Sequence, residues 1–138
     1  MDDKDIKIIN ILKEDSRLSV RDIAASSKLR PSTVHSRIQK LKQEGVIEKF
    51  TVKLNNEKVD EGFIVFILIR TNEMIDSKVF KNKAVKEAFG VTGEYDVLLK
   101  CKFRDLKEFN EFIMKLRREN NIRRTMTMIS TTLIKEEM

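Results

Sequence analysis

The sequence predicts an α+β protein in two parts, an N-terminal helix-turn-helix domain of winged type and a C-terminal ferredoxin-like domain with the order β-α-β-β-α-β. Three observations lead to this prediction. Residues 19–45 combine a short capped helix, a tight turn and a second amphipathic helix. Residues 63–69 are an unbroken apolar run, and residues 105–116 carry the cap and apolar stripe of another helix. The predicted boundaries are 1–54 for the helix-turn-helix domain, 55–61 for the linker and 62–138 for the second domain.

Composition indicates a globular protein. The chain has 138 residues, of which 41% are apolar and 36% charged, and a formal net charge of +6. No apolar run approaches the ~20 residues that a membrane helix needs, and acidic residues follow Met1 at once, unlike a signal peptide. We therefore expect a cytoplasmic protein with no membrane partner. The single cysteine, Cys101, excludes an internal disulfide and is interpreted as a small core residue.

The first helix is predicted from about Lys4 to Glu14, with Asp2 or Asp3 as its cap. Its inward residues are predicted to be Ile6 and Ile9, with Ile8 and Leu12 as further candidates.

A second, shorter helix follows. Ser19, with Asp22 three residues later, has the spacing of a capping box, in which a hydroxyl and a carboxylate each accept from a free backbone N–H. Ile23 and Ala24 lie on one side of this helix, which ends at the polar run 26–28.

The third helix is bounded by Pro31, which suits a first turn because its missing N–H is not needed there, and by Gly45 just past the end. Val34, Ile38 and Leu41 form its apolar stripe. Residues 46–54 are β-like and are predicted to close the three-helix unit.

The opposite face of the third helix predicts DNA binding. An ordinary solvated face is the usual explanation for such a pattern. Here, however, the face has no acid, it follows a capped helix and a tight turn, and residues 28–53 hold seven Lys or Arg against two acids. The residues predicted to face a major groove are Ser32, His35, Ser36, Gln39, Lys40 and Gln43, with Thr33 beside them. Those predicted to meet phosphates are Arg30, Lys42, Lys49 and Lys53, while Arg37 either braces the helix or reaches a phosphate.

The apolar run 63–69 predicts a homodimer. A strand with one solvated face would alternate, so an unbroken apolar run indicates burial on both faces. The remaining chain offers two helices, enough to cover one face of a small sheet. A second copy of the sheet is the simplest cover for the other face.

The remaining elements complete the β-α-β-β-α-β order. A helix is predicted from Ser77 to Asn82 or further, a strand at 85–91, and a hairpin at Gly93. Asp105 and Glu108 then have capping-box spacing, and residues 124–134 are predicted as the last strand. The stripe of the last helix is Leu106, Phe109, Phe112, Ile113 and Leu116.

Two segments resemble one family. Residues 3–50, DKDIKIINILKEDSRLSVRDIAASSKLRPSTVHSRIQKLKQEGVIEKF, resemble the helix-turn-helix of the Lrp/AsnC (feast/famine) transcriptional regulators. Residues 91–102, VTGEYDVLLKCK, are similar to the glycine turn and next strand of that family's effector-binding RAM domain. The sequence departs from the family at Arg30, where a capping serine is frequent, and at Lys28, where a turn glycine is frequent.

The resemblance implies a regulator without a cofactor that binds double-stranded DNA as a homodimer, with tetramers and octamers as open alternatives. It also implies a small effector, usually an amino acid, held between dimers around the glycine turn. By position the effector residues are Thr92, Gly93, Glu94, Tyr95 and Asp96, and more weakly Thr125 and Thr127. Gly93 would let backbone N–H groups approach a carboxylate, and Asp96 would accept from an ammonium group. The alternative, in which both residues only build the hairpin, stays open.

Residue content argues against catalysis and metal binding. His35 is the only histidine, so no Ser/His/Asp set or zinc cluster can form in the second domain, and no phosphate-binding glycine motif occurs. Two alternatives remain. An RNA-binding ferredoxin-like sheet would need exposed strand aromatics near residues 62–67. A siroheme-decarboxylase-like enzyme shares the two-domain plan but uses histidine near the sheet.

Overall fold

The computed structural model describes all residues, Met1–Met138, and divides into the units Met1–Val52 and Lys53–Met138. The N-terminal unit has three helices: α1 (Asp3–Glu14), α2 (Val20–Ser27) and α3 (Pro31–Gln43). The first regular element of the C-terminal unit is a single 3₁₀ turn (Glu57–Val59), inside the predicted linker 55–61. It is followed by β1 (Phe63–Thr71), α4 (Ser77–Lys81), β2 (Val85–Gly90), β3 (Val97–Phe103), α5 (Leu106–Glu119) and β4 (Ile122–Ile129). No helix combines the length and the apolar character needed to cross a membrane.

The first two helices begin at reciprocal caps. The Asp2 carboxylate accepts from the backbone N–H of Asp5 at 3.0 Å, and the Asp5 carboxylate accepts from that of Asp2 at 3.2 Å. Ser19 and Asp22 make the same exchange at 3.1 and 3.4 Å, which confirms the capping box predicted for α2.

The N-terminal core joins one stripe from each helix. Ile8, Ile23, Ala24 and Val34 are buried together. The prediction that Ile6 faces inward is wrong, since its side chain is 45% exposed. Ile6 and Ile8 are separated by about 200° on the helix, so only one of them can face α2 and α3.

The turn between α2 and α3 adopts a left-handed conformation at a lysine. Lys28 has φ +59° and ψ +32°, and the backbone N–H of Leu29 donates to the carbonyl of Ala24 at 3.2 Å. This hydrogen bond, which spans residues 24–29, is that of a Schellman motif, in which glycine is the usual residue at the left-handed position. A side chain at such a position costs about 1 kcal/mol relative to glycine.

Residues 46–54 do not form the predicted strand. This segment has no regular secondary structure and pairs with none of the four strands, so its backbone makes no ladder. Its alternate apolar side chains, Val46, Phe50, Val52 and Leu54, are 44% to 64% exposed.

The C-terminal unit confirms the predicted β-α-β-β-α-β order. Its four strands are antiparallel neighbours in the order β2-β3-β1-β4. Ile67, at the middle of β1, lies opposite Leu99 on β3 and Thr127 on β4. β4 ends at Ile129, five residues earlier than predicted, and residues 130–138 have no regular secondary structure.

Both helices cover the same face of the sheet. Val65, Ile67 and Ile69 on β1 are fully buried against Phe109, Ile113 and Leu116 of α5. The predicted α5 stripe is correct except at Leu106, which is 53% exposed because it lies in the first turn.

The other face of the sheet has no helix packed against it. It carries the alternate residues of β1, Phe66 and Leu68, which are half-buried. Their neighbours on this face are Leu98 of β3, Phe89 of β2, and Met126 and Met128 of β4. We call these six residues the open apolar face.

Cys101 is a core residue, as predicted. It is fully buried in β3 opposite Val65. Burial raises the pKa of its thiol to about 12.

Candidate functional site

The polar face of α3 is presented to solvent. All six residues predicted to face a groove are exposed, and Thr33 is half-buried. The exposed residues are Ser32, His35, Ser36, Gln39, Lys40 and Gln43. Hydroxyl, amide and ammonium groups thus form one surface along three turns of helix.

The charge along α3 suits a polyanion. Its first turn contains no acid, and Arg30 occupies the N-cap position without a side-chain hydrogen bond to the helix. The nearest acid along the chain is Glu44 at the far end, 3.9 Å from Lys40 in an exposed pair. Free N–H groups at the helix start and basic side chains along it therefore leave this surface positive.

Arg37 does not belong to this surface. Its Nη1 lies 2.6 Å from both carboxylate oxygens of Asp2 and 3.1 Å from Oδ1 of Asp5. The assignment of Arg37 as a DNA-binding residue is therefore corrected to the other predicted role, bracing α3 against α1. Hydrogen bonding to Asp2 and then Asp5 raises the pKa of Arg37, and the same contact holds the pKa of Asp2 well below its usual range.

The predicted phosphate contacts fall into different environments. Lys42 Nζ lies 5.8 Å from the centre of the Phe50 ring, and Lys49 is exposed, so both ammonium groups stay at the surface of the N-terminal unit. Lys53 is different, because it belongs to the C-terminal unit and donates to the backbone carbonyl of Glu136. The Lys53 ammonium group thus already has a partner within the chain, and its contact with a phosphate stays a prediction.

The predicted effector turn lies between β2 and β3. Gly93 has φ +112°, a conformation that side chains rarely adopt. Asp96 ties the turn to β1, because its N–H donates to the carbonyl of Ile69 at 2.8 Å and its carboxylate accepts from the N–H of Thr71 at 2.9 Å. Thr92, Gly93 and Glu94 are exposed. Asp96 thus has a structural partner already.

Arg124 joins this turn to β4, and the sequence did not single it out. Its guanidinium lies 3.6 Å from the Glu94 carboxylate and 5.2 Å from the centre of the Tyr95 ring. The signal available in the sequence was its place directly before Thr125.

The two predicted threonines face the helix side of the sheet. Thr125 lies opposite Ile69, at the same end of the sheet as the turn, and accepts from Arg117 of α5 at 2.6 Å. Thr127 lies opposite Ile67, farther from that end. The structure therefore brings the turn near Thr125 and leaves Thr127 apart.

Comparison with known families follows the same division of the chain. Residues 1–48 match a winged helix-turn-helix DNA-binding family, and residues 64–138 match the Lrp/AsnC ligand binding domain. The chain belongs to the Lrp/AsnC family. It is a DNA-binding transcriptional regulator of this type, and the predicted fold class is confirmed.

Individual Lrp/AsnC proteins align along nearly the whole chain. The HTH-type transcriptional regulator FL11 of Pyrococcus furiosus is 34% identical, over 99% of this chain and 93% of that one. An AsnC family transcriptional regulator from Agrobacterium tumefaciens has a TM-score of 0.94 at 30% identity, covering 99% and 94% of the two chains. The transcriptional regulator NMB0573 of Neisseria meningitidis, solved as a complex with L-Met, has a TM-score of 0.90 at 26% identity over the same shares.

Proposed function

We propose that this Lrp/AsnC regulator reads duplex DNA with the outward face of α3. The observation that carries the proposal is the continuous exposed surface of Ser32, Ser36, Gln39 and Gln43, free of acid and of large apolar side chains. Amides and hydroxyls of this kind pair with base edges in a major groove, where an α-helix fits.

Basic residues around α3 would position the protein on the phosphates. Arg30 at the helix start and Lys49 beyond its end are exposed, and Lys42 keeps its ammonium group above Phe50. Such contacts fix register and add affinity without reading sequence. His35 and Lys40 lie on the groove side with the amides, and Arg37 acts through the orientation of α3.

We infer that the working form in the cytoplasm is a homodimer. The open apolar face carries Phe66, Leu68, Leu98, Phe89, Met126 and Met128, and α4 and α5 both lie on the other side. A contiguous apolar sheet face of this kind in a soluble protein is generally an interface. Two-fold pairing would supply two copies of α3 for two half-sites of an operator.

We infer further that the turn Thr92–Asp96 takes an amino-acid effector. The support is Gly93, whose missing side chain leaves the turn backbone open to approach, together with the Lrp/AsnC relative from Neisseria solved with L-Met. Glu94 and Arg124 add one acid and one base beside the turn, a complement for the two charges of a free amino acid. Tyr95 supplies an adjacent ring and Thr125 a hydroxyl at the same end of the sheet, whereas Thr127 contributes less.

Selection of bound duplexes from a random pool, followed by footprinting of the selected sites, tests the DNA proposal. We expect an inverted repeat with its half-sites on one face of the duplex, as two-fold pairing of α3 requires. Recovery of unrelated sequences with uniform protection would instead restrict the protein to phosphate contacts.

A further inference from the structure

Residues 130–138 return across the open side of the sheet and place one carboxylate between two lysines. Glu136 Oε2 lies 2.5 Å from Nζ of Lys100, and Oε1 lies 3.0 Å from Nζ of Lys102. Both lysines are on β3 and point to the open side, since they lie opposite Phe66 and Ile64 of β1. The side chains of Lys102 and Glu136 are only 12% and 13% exposed.

Two further groups complete the site. Asn56 donates through Nδ2 to Glu136 Oε1 at 3.1 Å and accepts through Oδ1 from Lys102 at 2.8 Å. Lys53 donates to the Glu136 backbone carbonyl. Three ammonium groups and an amide therefore converge on a single acidic residue.

The charge balance of this cluster depends on Glu136. Lys100 has one other acidic partner, Glu87, which is 49% exposed and 3.2 Å away, and Lys102 has none. The pKa of Glu136 is lowered to about 2, chiefly by its hydrogen bond from Lys100. Burial opposes this shift, and smaller contributions from the hydrogen bonds of Asn56 and Lys102 add to it. With Glu136 removed, two largely buried ammonium groups would lack most of their compensation.

Little else in this tail fastens it over the lysines. Leu133 and Ile134, which lie three and two residues before Glu136, are 51% and 94% exposed. Beside the carboxylate lies a cavity of about 470 Å³, within the usual size range of small-molecule sites. Its walls include Leu54, Asn55, Glu57, Ile64, Ser130 and Leu133.

We propose that Lys100, Lys102 and Asn56 form a binding site for a small-molecule carboxylate, which Glu136 fills as an internal ligand and a free carboxylate ligand takes over. Lys102 lies opposite Ile64, whereas the effector turn is tied to Ile69 and Thr71, so this second site lies at the other end of the sheet. The site goes beyond the proposed effector turn and does not depend on it.

Succinate is the probe, and Glu136→Gln is the variant that removes the internal carboxylate charge. Glu136→Gln should melt at a lower temperature than wild type, and succinate should restore the melting temperature. If Glu136 fills the site nine-tenths of the time in wild type, the variant should bind succinate about tenfold more tightly in calorimetry. Sodium chloride at matched ionic strength controls for the screening of charges by salt. Neutral succinamide controls for the size and shape of the ligand without its charge.

The lysines supply the decisive controls. Lys102→Met in the Glu136→Gln background should abolish succinate binding, and Lys100→Met should weaken it. Lys115→Met on α5, an exposed lysine outside the site, should leave binding in that background unchanged. Equal stabilisation of the Lys102→Met and Lys115→Met double variants by succinate would overturn the proposal, and so would absence of succinate binding to Glu136→Gln. DNA binding by α3 is not a readout in this experiment, so failure here leaves the proposed function standing.

Discussion

Arg37 on α3 holds both carboxylate oxygens of Asp2, the residue that caps α1, at 2.6 Å. Asp2 therefore does two things at once, since the same carboxylate accepts from the Asp5 backbone at the start of α1. The orientation of the candidate recognition helix is in this way coupled to the first turn of the chain. A change at residue 2 should therefore affect the proposed DNA-binding surface of α3 through Arg37 alone.

Asp2→Asn should lower stability at neutral pH and make it less sensitive to acid. Asparagine keeps the cap acceptor but removes the charge that Arg37 binds. Because the folded-state pKa of Asp2 lies below its ordinary value of 3.8, its charge contributes stability above about pH 4, and this is lost as the pH falls further. Melting curves of variant and wild type should converge in acid. Asp3→Asn, an exposed acid in the same turn, is the control, and parallel curves for Asp2→Asn and wild type would contradict the prediction.

Ser36→Glu should strongly weaken specific DNA binding and leave the fold intact. The new carboxylate would stand at the centre of the polar face of α3, against base edges and phosphates. We expect about a 10- to 100-fold loss of affinity in gel shifts on a selected site. Ser77→Glu, the same change at the exposed start of α4, alters the net charge equally and should bind as wild type does. Wild-type affinity for Ser36→Glu would remove α3 from the interface.

Lys49→Ala should weaken binding to all duplexes about equally. Its exposed ammonium group is proposed to contact a phosphate, and each such contact releases counterions on binding. The slope of log affinity against log salt should fall by about 1. Titrations on a selected site and on an unrelated duplex, each at several salt concentrations, give the measurement. A loss confined to the selected site would assign Lys49 to base reading instead.

Phe66→Asp and Ile67→Asp should fail in different ways, because neighbouring β1 residues face opposite sides of the sheet. Ile67 is fully buried against α5, so a carboxylate there should destabilise the fold by about 4 kcal/mol or more. Phe66 belongs to the open apolar face, so Phe66→Asp should give a folded but weaker dimer in sedimentation. A stable wild-type monomer at micromolar concentration would refute the dimer.

Gly93→Val should abolish the response to an amino-acid effector. A β-branched side chain at φ +112° strains the turn and blocks approach to its backbone. A saturating ligand at a hundredfold excess over its Kd raises stability by about 2.7 kcal/mol, so thermal shifts detect it readily. Tyr95→Phe keeps the ring near Arg124 and should only weaken the response. A screen of the twenty amino acids without any shift in wild type would leave the turn as structural.

Local signals predicted most of the fold. The Ser19 and Asp22 cap, Pro31 at the start of α3 and the Asp105 cap of α5 all act within three or four residues, and each element begins where predicted. The position of β1 was also predictable from a local signal, its uninterrupted run of apolar residues. The exposed face of α3 also followed from periodicity alone.

Long-range partners account for what the sequence could not predict. Arg37 meets Asp2 across 35 residues, and Lys102 meets Glu136 across 34, so neither pair has a spacing that a pattern can detect. In the segment 46–54 apolar and polar residues alternate as in a strand, but no strand of the chain lies beside it. The alternation of side chains cannot show whether a neighbouring strand exists. Arg124 reaches the predicted effector turn because β4 lies beside β1.

The buried thiol of Cys101 can report transient opening of the C-terminal sheet. Cys101 is the only cysteine, and it lies at the middle of the sheet where reagents cannot reach it. A thiol reagent can label it only in molecules whose C-terminal sheet has transiently opened, and the N-terminal helices contribute no background. Labelling rates under native conditions would thus count open molecules. Dimer formation, effector binding and carboxylate binding at Lys100 and Lys102 should each slow the labelling. The decrease in labelling rate would measure how much each event stabilises the sheet against opening, on one common scale.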